Sequence, residues 1–153
     1  MQTETVKLRE LTIRYSVKKN QDGQPVLVGR RIRHPSECAP ALATLLQDEP
    51  SEVFGMLCLT TKHRVIAYHE VGRGTLDTVV VDPRAVFKAA LLTNCAALIV
   101  AHNHPSGDPT PSPNDVDLTR RLVATGTLLG IPVLDHIVIG DGRYFSFKEQ
   151  ALL

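Results

Sequence analysis

The sequence predicts an α+β (mixed α/β) domain, and three observations carry that expectation. Apolar runs of strand length recur between short polar breaks: Val53–Leu59, Val65–Val71, Thr75–Val81, Ala97–Ala101 and Pro132–Ile139. Helix starts marked by proline stand at Pro35, Pro83 and Pro113, each leading into apolar residues at helical spacing. Strand and helix signals are interleaved, with antiparallel hairpins and one helix-strand-helix passage, so neither an all-β nor a purely alternating α/β chain is expected.

Taken in order, Leu11 to Arg33 reads as a β-hairpin. Leu11, Ile13, Tyr15 and Val17 alternate with polar residues, Asn20–Pro25 supplies a turn, and Val26 to Arg33 returns as a second strand. Lys18, Lys19, Arg30, Arg31 and Arg33 make this arm basic, but aromatic residues are nearly absent from it, so a solvated edge is preferred over a nucleic-acid arm. A helix follows from Pro35, with Ser36 as N-cap and Leu42, Leu45 and Leu46 inward; it ends before Asp48-Glu49-Pro50. Val53–Leu59, Val65–Val71 and Thr75–Val81 then form an antiparallel meander, turning at Thr61–His63 and breaking at Gly72 and Gly74. Asp82-Pro83 opens a helix to about Thr93 that buries Val86, Phe87, Ala90 and Leu91, and Asn94 can close it in a left-handed conformation. Pro113 to about Thr125 is a further helix, with Val116, Leu122 and Val123 inward and Asp117, Arg120 and Arg121 outward. Pro132–Ile139 and Tyr144–Phe147 pair across Gly140-Asp141-Gly142.

The chemistry concentrates between Ala97 and Asp115. Side chains alternate along a strand, so Leu98, Val100, His102 and His104 share a face, and two imidazoles two residues apart can reach one point. Pro105, Gly107, Pro109, Pro111 and Pro113 force a turn, after which Ser112 suits an N-cap and Asp115 falls in the first helical turn, where the loop can carry it beside the histidines. Two imidazole nitrogens and one carboxylate, with a position left for water, make the ligand set of a catalytic zinc site. A lone Ser-x-x-Asp can also be only a capping box. Ser106 and Gly107 stand where a metallo-β-lactamase motif would continue with acid and histidine, and an amidohydrolase barrel needs roughly 250 residues against 153 here.

His102-Asn103-His104-Pro-Ser-Gly followed by Ser112-Pro-Asn-Asp115 resembles the JAMM motif (His-x-His, then Ser-x-x-Asp) of the JAB/MPN metalloprotease superfamily. With the upstream Glu52-Val-Phe, Gly74-Thr-Leu and downstream Leu134-Asp-His136-Ile-Val-Ile-Gly, the string is similar to the RadC-like branch from about Ser36 onward. The resemblance implies a curved central β-sheet flanked by helices. It divides the chain into an N-terminal β-hairpin extension, 1–35, and a RadC-like metal-binding domain, 36–153.

The same resemblance implies one Zn2+ per chain on His102, His104 and Asp115, and hydrolysis of a peptide, isopeptide or related amide bond by zinc-activated water. It places the general base at Glu52. Spacing alone leaves Glu10, Glu37, Glu49, Glu52 and Glu70 open, with Glu49 the nearest rival. Ser112 is implied to stabilise the oxyanion besides capping its helix, a role whose loss typically costs roughly 3 kcal/mol of barrier. Asn103 and His136 are candidates to support the ligands from behind, although an imidazole on the Leu134–Val138 strand face is more often a hydrogen-bonded core group. His34, His63 and His69 have no partner pattern, and Arg84 and Lys88 read as a solvated helix face.

Composition bounds the partners. A net charge of +1 gives no field that would draw a polyanion, so DNA binding is expected to be weak. Longer RadC-like proteins carry a helix-hairpin-helix region ahead of this domain; the roughly 35 residues here read as strands instead, which weakens a DNA-repair accessory reading. Retention of Glu52, His102, His104, Ser112 and Asp115 speaks against a non-catalytic binding module. Three cysteines at unhelpful spacings suit a reducing compartment rather than a disulfide framework. With neither a signal peptide nor a membrane-length apolar run, the expected setting is cytoplasmic. The expected substrate is an unidentified peptide or conjugated protein, and a homodimer is admitted.

Overall fold

A computed structural model of the protein describes residues 11–16, 22–23, 27–75 and 79–153. Its elements are α1 (Pro35–Leu46), β1 (Val53–Leu59), β2 (Val65–Arg73), α2 (Pro83–Leu92), β3 (Ala97–Asn103), α3 (Pro113–Leu129), β4 (Val133–Gly140) and β5 (Arg143–Ser146). The strands form a mixed sheet in the order β2-β1-β3-β4-β5, and the fold is α+β as the sequence predicts. β3 lies antiparallel to β1 and parallel to β4, and the parallel step is bridged by α3, since a short turn cannot return a chain in the same direction.

β1 and β3 are buried along their whole length, which explains why both read as continuous apolar runs. Alternation divides their side chains between two cores. Leu57, Leu59, Ile99, Ala101, Ile137 and Ile139 pack with Cys38, Leu42 and Leu46 of α1. Phe54, Met56, Cys58, Leu98 and Val100 pack on the other face with Val86, Phe87 and Ala90 of α2 and Leu122 of α3. All three cysteines are buried free thiols within these cores.

Caps account for the helix boundaries. The Asp82 carboxylate accepts from the Arg84 amide at 2.8 Å, with Pro83 opening α2, and Asn94 takes φ +51° beyond its end. α3 runs one turn past the expected Thr125 to Leu129, where Gly130 closes it at φ +70°. α1 begins at Pro35 with His34 at the N-cap, so Ser36 lies inside the helix instead of capping it. Leu91 is exposed, and Ala89 occupies the buried position expected for it.

Two strand expectations change. Val79–Val81 carry no strand, and residues 76–78 lie outside the described residues; among the described residues β2 is an edge strand paired with β1 alone, so the meander stops after β2. Leu11–Ser16 carry no strand and are exposed, and between residues 27 and 33 there is a lone bridge from Arg31 to Arg64. Asp22 and Gly23 carry a turn and a bend, and the other hairpin positions, 17–21 and 24–26, lie outside the described residues. Among those described, no helix is long and apolar enough to cross a membrane.

The end of β4 is shaped by a close approach of two backbones. A Cβ placed on Gly140 would stand 2.6 Å from the carbonyl oxygen of Gly107, in the loop that follows β3. Only glycine lets the two chains meet there.

Candidate metal centre

The topology gathers four segments at one end of the sheet. β3 carries His102 next to its last residue, Asn103, and delivers His104 just beyond it. β1, running the opposite way, begins beside that end, with Phe54 paired to His102. Glu52 shares the side-chain parity of Phe54 and therefore faces the same side as His102. The loop out of β3 returns at once into α3, whose N-terminus places Asp115 against the histidines.

His102 Nε2 lies 3.0 Å from His104 Nε2 and 3.3 Å from Asp115 Oδ1, and His104 Nε2 lies 3.2 Å from Asp115 Oδ2. These three residues form a group whose ligand atoms all fall within 4.8 Å of one another. His104 Nδ1 stands 2.7 Å from the carbonyl oxygen of Asp108, which can only accept, so Nδ1 carries the proton and Nε2 presents its electron pair to the group. Electron-rich atoms thus converge where only a proton or a cation can satisfy them, and two imidazoles with one carboxylate fit zinc.

A capping box orients the carboxylate. The Ser112 amide donates to Asp115 Oδ2 at 2.7 Å, and the Asp115 amide donates to Ser112 Oγ at 3.2 Å. Ser-x-x-Asp therefore serves as a cap and aims the Asp115 carboxylate at the histidines at the same time. Burial raises the Asp115 pKa, but the hydrogen bonds and charge that His102 and His104 offer once protonated outweigh it and hold the carboxyl well below the usual range. The Asp115 hydrogen bond pushes His104 up against its own desolvation, whereas burial takes His102 down.

Glu52 is buried, with its carboxylate 4.0 Å from His102 Nε2. Its main chain is held on both sides: the amide donates to Thr75 O at 2.9 Å and the carbonyl accepts from Gly74 N at 2.8 Å. Glu49, the rival in sequence, is occupied elsewhere, paired with Arg73 beside Glu70.

A family model described as the RadC-like JAB domain matches residues 32–152. The chain belongs to the RadC-like JAB domain family. Its relatives include a UPF0758 protein of Alkaliphilus oremlandii (strain OhILAs), 46% identical over 123 residues that cover 80% of this chain and 53% of the relative. One of Moorella thermoacetica is 48% identical over 122 residues, covering 80% and 53%. One of Desulfitobacterium hafniense (strain DSM 10664 / DCB-2) is 40% identical over 149 residues, covering 97% and 66%. The chain spans about half to two-thirds of the length of these relatives.

Asn103 points to the face opposite the ligands and pins the start of β1 to the end of β3. Its Oδ1 accepts from Val53 N at 2.7 Å, and its Nδ2 donates to Ser51 O at 3.1 Å, so it holds both peptides that flank Glu52. His136 is fully buried on the ligand face, with Nε2 2.8 Å from His102 Nδ1. It does not share a face with Leu134, as plain alternation would have it. The register with β3 slips between Leu98 and Ile99, so both Leu134 and Asp135 turn toward the α1 face, while His136 falls opposite Val100.

Sequence reasoning missed Thr119 and Asp108. Thr119 Oγ1 stands 2.6 Å from His136 Nδ1, and Asp108 supplies the carbonyl that orients His104. The first had a legible signal, because four residues after Asp115 is the same helix face. The second is a backbone contact and had none. His34 and His69 are exposed and His63 is half-buried, and none joins the group; Arg84 and Lys88 are solvated as expected.

Proposed function

We propose that the chain is a zinc-dependent metallohydrolase of the JAMM type, cleaving a peptide, isopeptide or related amide bond in the cytoplasm. The observation that carries this reading is the buried Glu52 carboxylate 4.0 Å from His102 Nε2, beside three converging ligand atoms and outside their set. Zinc on His102, His104 and Asp115 would supply the acidity that readies a water and the polarisation of the scissile carbonyl.

The chain's own residues do the rest. Glu52 takes the proton from the attacking water and delivers it to the leaving amine, which requires a carboxylate that is near the ligands but not consumed by them. Asn103 and the Gly74–Thr75 backbone keep that carboxylate in place. The Ser112 hydroxyl proton is not needed for the cap, where its oxygen accepts, so it can donate to the carbonyl oxygen as negative charge develops there.

The test uses purified protein, elemental analysis and a peptide and isopeptide library read by mass spectrometry. Wild type should hold about one zinc per chain and cut members of the library. Glu52→Gln should keep its zinc and lose at least about a hundredfold in rate, the lower end of general-base effects. Glu49→Gln should cut like wild type, since its partner is a surface arginine. An active Glu52→Gln beside an inactive Glu49→Gln would remove Glu52 from the role, and a zinc-loaded wild type that cuts nothing would favour a binding module.

A further inference from the structure

Behind His102 runs a closed line of polar groups. His102 Nδ1 lies 2.8 Å from His136 Nε2, His136 Nδ1 lies 2.6 Å from Thr119 Oγ1, and Thr119 Oγ1 lies 2.6 Å from the carbonyl oxygen of Asp115. Its last member decides the order of the others. A peptide carbonyl only accepts, so the single hydroxyl proton of Thr119 goes to Asp115. Thr119 Oγ1 must then accept from His136, which puts the proton of that ring on Nδ1 and leaves Nε2 as an acceptor. His102 consequently donates from Nδ1, and its Nε2 faces Asp115 and His104 as an electron pair.

We propose that Thr119 and His136 are positioning residues that fix the tautomer of His102, and so prepare its Nε2 to bind the metal. This rests on the zinc reading above. The geometry around the two residues suits the task. His136 is clamped with its ring stacked on Phe147, centroids 4.9 Å apart at 10°, and edge-on to Phe54 at 5.5 Å. It cannot turn to find another partner without leaving that stack. Both His136 and Thr119 are shut off from solvent, so water cannot substitute for either. The line ends on the residue that carries the third ligand. The tautomer of a ligand on β3 is therefore set by the first turn of α3, the turn that aims Asp115.

If the Thr119 oxygen is removed, the His136 Nδ1 proton has nothing to meet. His136 then gains by carrying its proton on Nε2, which forces His102 Nδ1 to accept and places a proton on the nitrogen that should hold the metal. Zinc must displace that proton to bind.

Chelator competition for zinc, with wild type and four variants, tests this. Thr119→Val keeps the shape and loses the oxygen, and His136→Leu removes the ring. Both should bind zinc about ten to a hundredfold more weakly, while Thr119→Ser and His136→Gln, which keep the acceptor and donor, should stay within about threefold of wild type. Long-range proton–nitrogen spectra of the metal-free protein give a second readout. His102 should be the Nδ1-protonated tautomer in wild type and the Nε2-protonated one in Thr119→Val. Equal zinc affinity in folded Thr119→Val and His136→Leu overturns the proposal, as does a failure of Ser and Gln to rescue. If His136→Leu does not fold, Thr119→Val decides alone. A wild type without zinc would end the zinc reading, and the spectra would still show whether Thr119 sets the His102 tautomer.

Discussion

Asp135 and His136 are neighbours on β4, both buried, and strand alternation sends their side chains to opposite faces of the sheet. On the α1 face, Asp135 accepts from the His136 amide at 2.7 Å, the Lys148 amide at 3.0 Å and the Ser146 hydroxyl at 2.6 Å. Every one of these is a donor, and all come from β4 itself or the segment around β5. On the other face, His136 belongs to a line that joins β3, β4 and α3 and leads to the Nε2 electron pairs of His102 and His104, which face each other and the Asp115 carboxylate. Both residues are buried and titratable, so those two properties do not separate a latch from a site. What separates them is whether the surrounding groups are complete without a ligand. Around Asp135 they are; around His102, His104 and Asp115 they are not.

Removing a ligand should break the comparison most sharply. His102→Ala, His104→Ala and Asp115→Ala should each go from about one zinc per chain to almost none after dialysis against chelator, because an open site that loses one of three protein ligands loses most of its binding energy. Full zinc content in any two of the three would leave the ligand set unsupported. Asp135→Ala should act on stability instead. Stranding the Ser146 hydroxyl and two amides should cost about 2–3 kcal/mol in denaturant unfolding, with zinc affinity changed only a few-fold. A large loss of zinc at small loss of stability would mean that the two faces are not separate.

Acidification offers a smaller effect with a definite sign. The Asp115 carboxylate raises the His104 pKa above its ordinary value, so the metal-free protein takes up a proton there while the reference imidazole is still neutral. Zinc must displace that proton, and affinity measured by competition should fall by about tenfold per pH unit once pH drops below the raised value. Affinity flat between pH 8 and pH 5 would be incompatible with His104 as a ligand. Ser112→Ala should give the smallest change, about 1 kcal/mol of stability from the lost cap, while zinc stays bound. A Ser112→Ala protein that unfolds early and also loses zinc would show that the cap, more than its hydroxyl chemistry, is what the site requires.

The convergence of His102, His104 and Asp115 was legible because its geometry is local. His-x-His on a strand and an acid three residues after a capping serine need only strand parity and a turn to converge, and the sequence carries both. Asp82-Pro83 and Asn94 likewise fixed α2 through chemistry confined to a few residues. Glu52 needed the family resemblance, since its facing depends on β1 lying antiparallel to β3, fifty residues away in sequence. His136 was placed on its strand, but its face depends on a one-residue slip that no local pattern announces. The third meander strand failed for a related reason. Val79–Val81 are apolar enough for a strand, yet a local apolar pattern does not decide whether the outer edge of β2 is extended, and β2 is the edge strand of the sheet among the described residues.

The contact between Gly140 and Gly107 would bear on how fast an ion reaching His104 is captured. The loop that carries His104 is tied at its start by His104 N to Ile139 O at 2.8 Å, braced within by Gly107 N to His104 O at 2.9 Å, and held from outside by Arg143 on Gly107 O at 3.3 Å. Its conformational entropy is therefore surrendered during folding and need not be surrendered again when an ion arrives. A side chain at position 140 would wedge the two backbones apart without touching any ligand. Ordering the loop would then be deferred to the moment of capture, and the penalty would fall on the association rate for the ion.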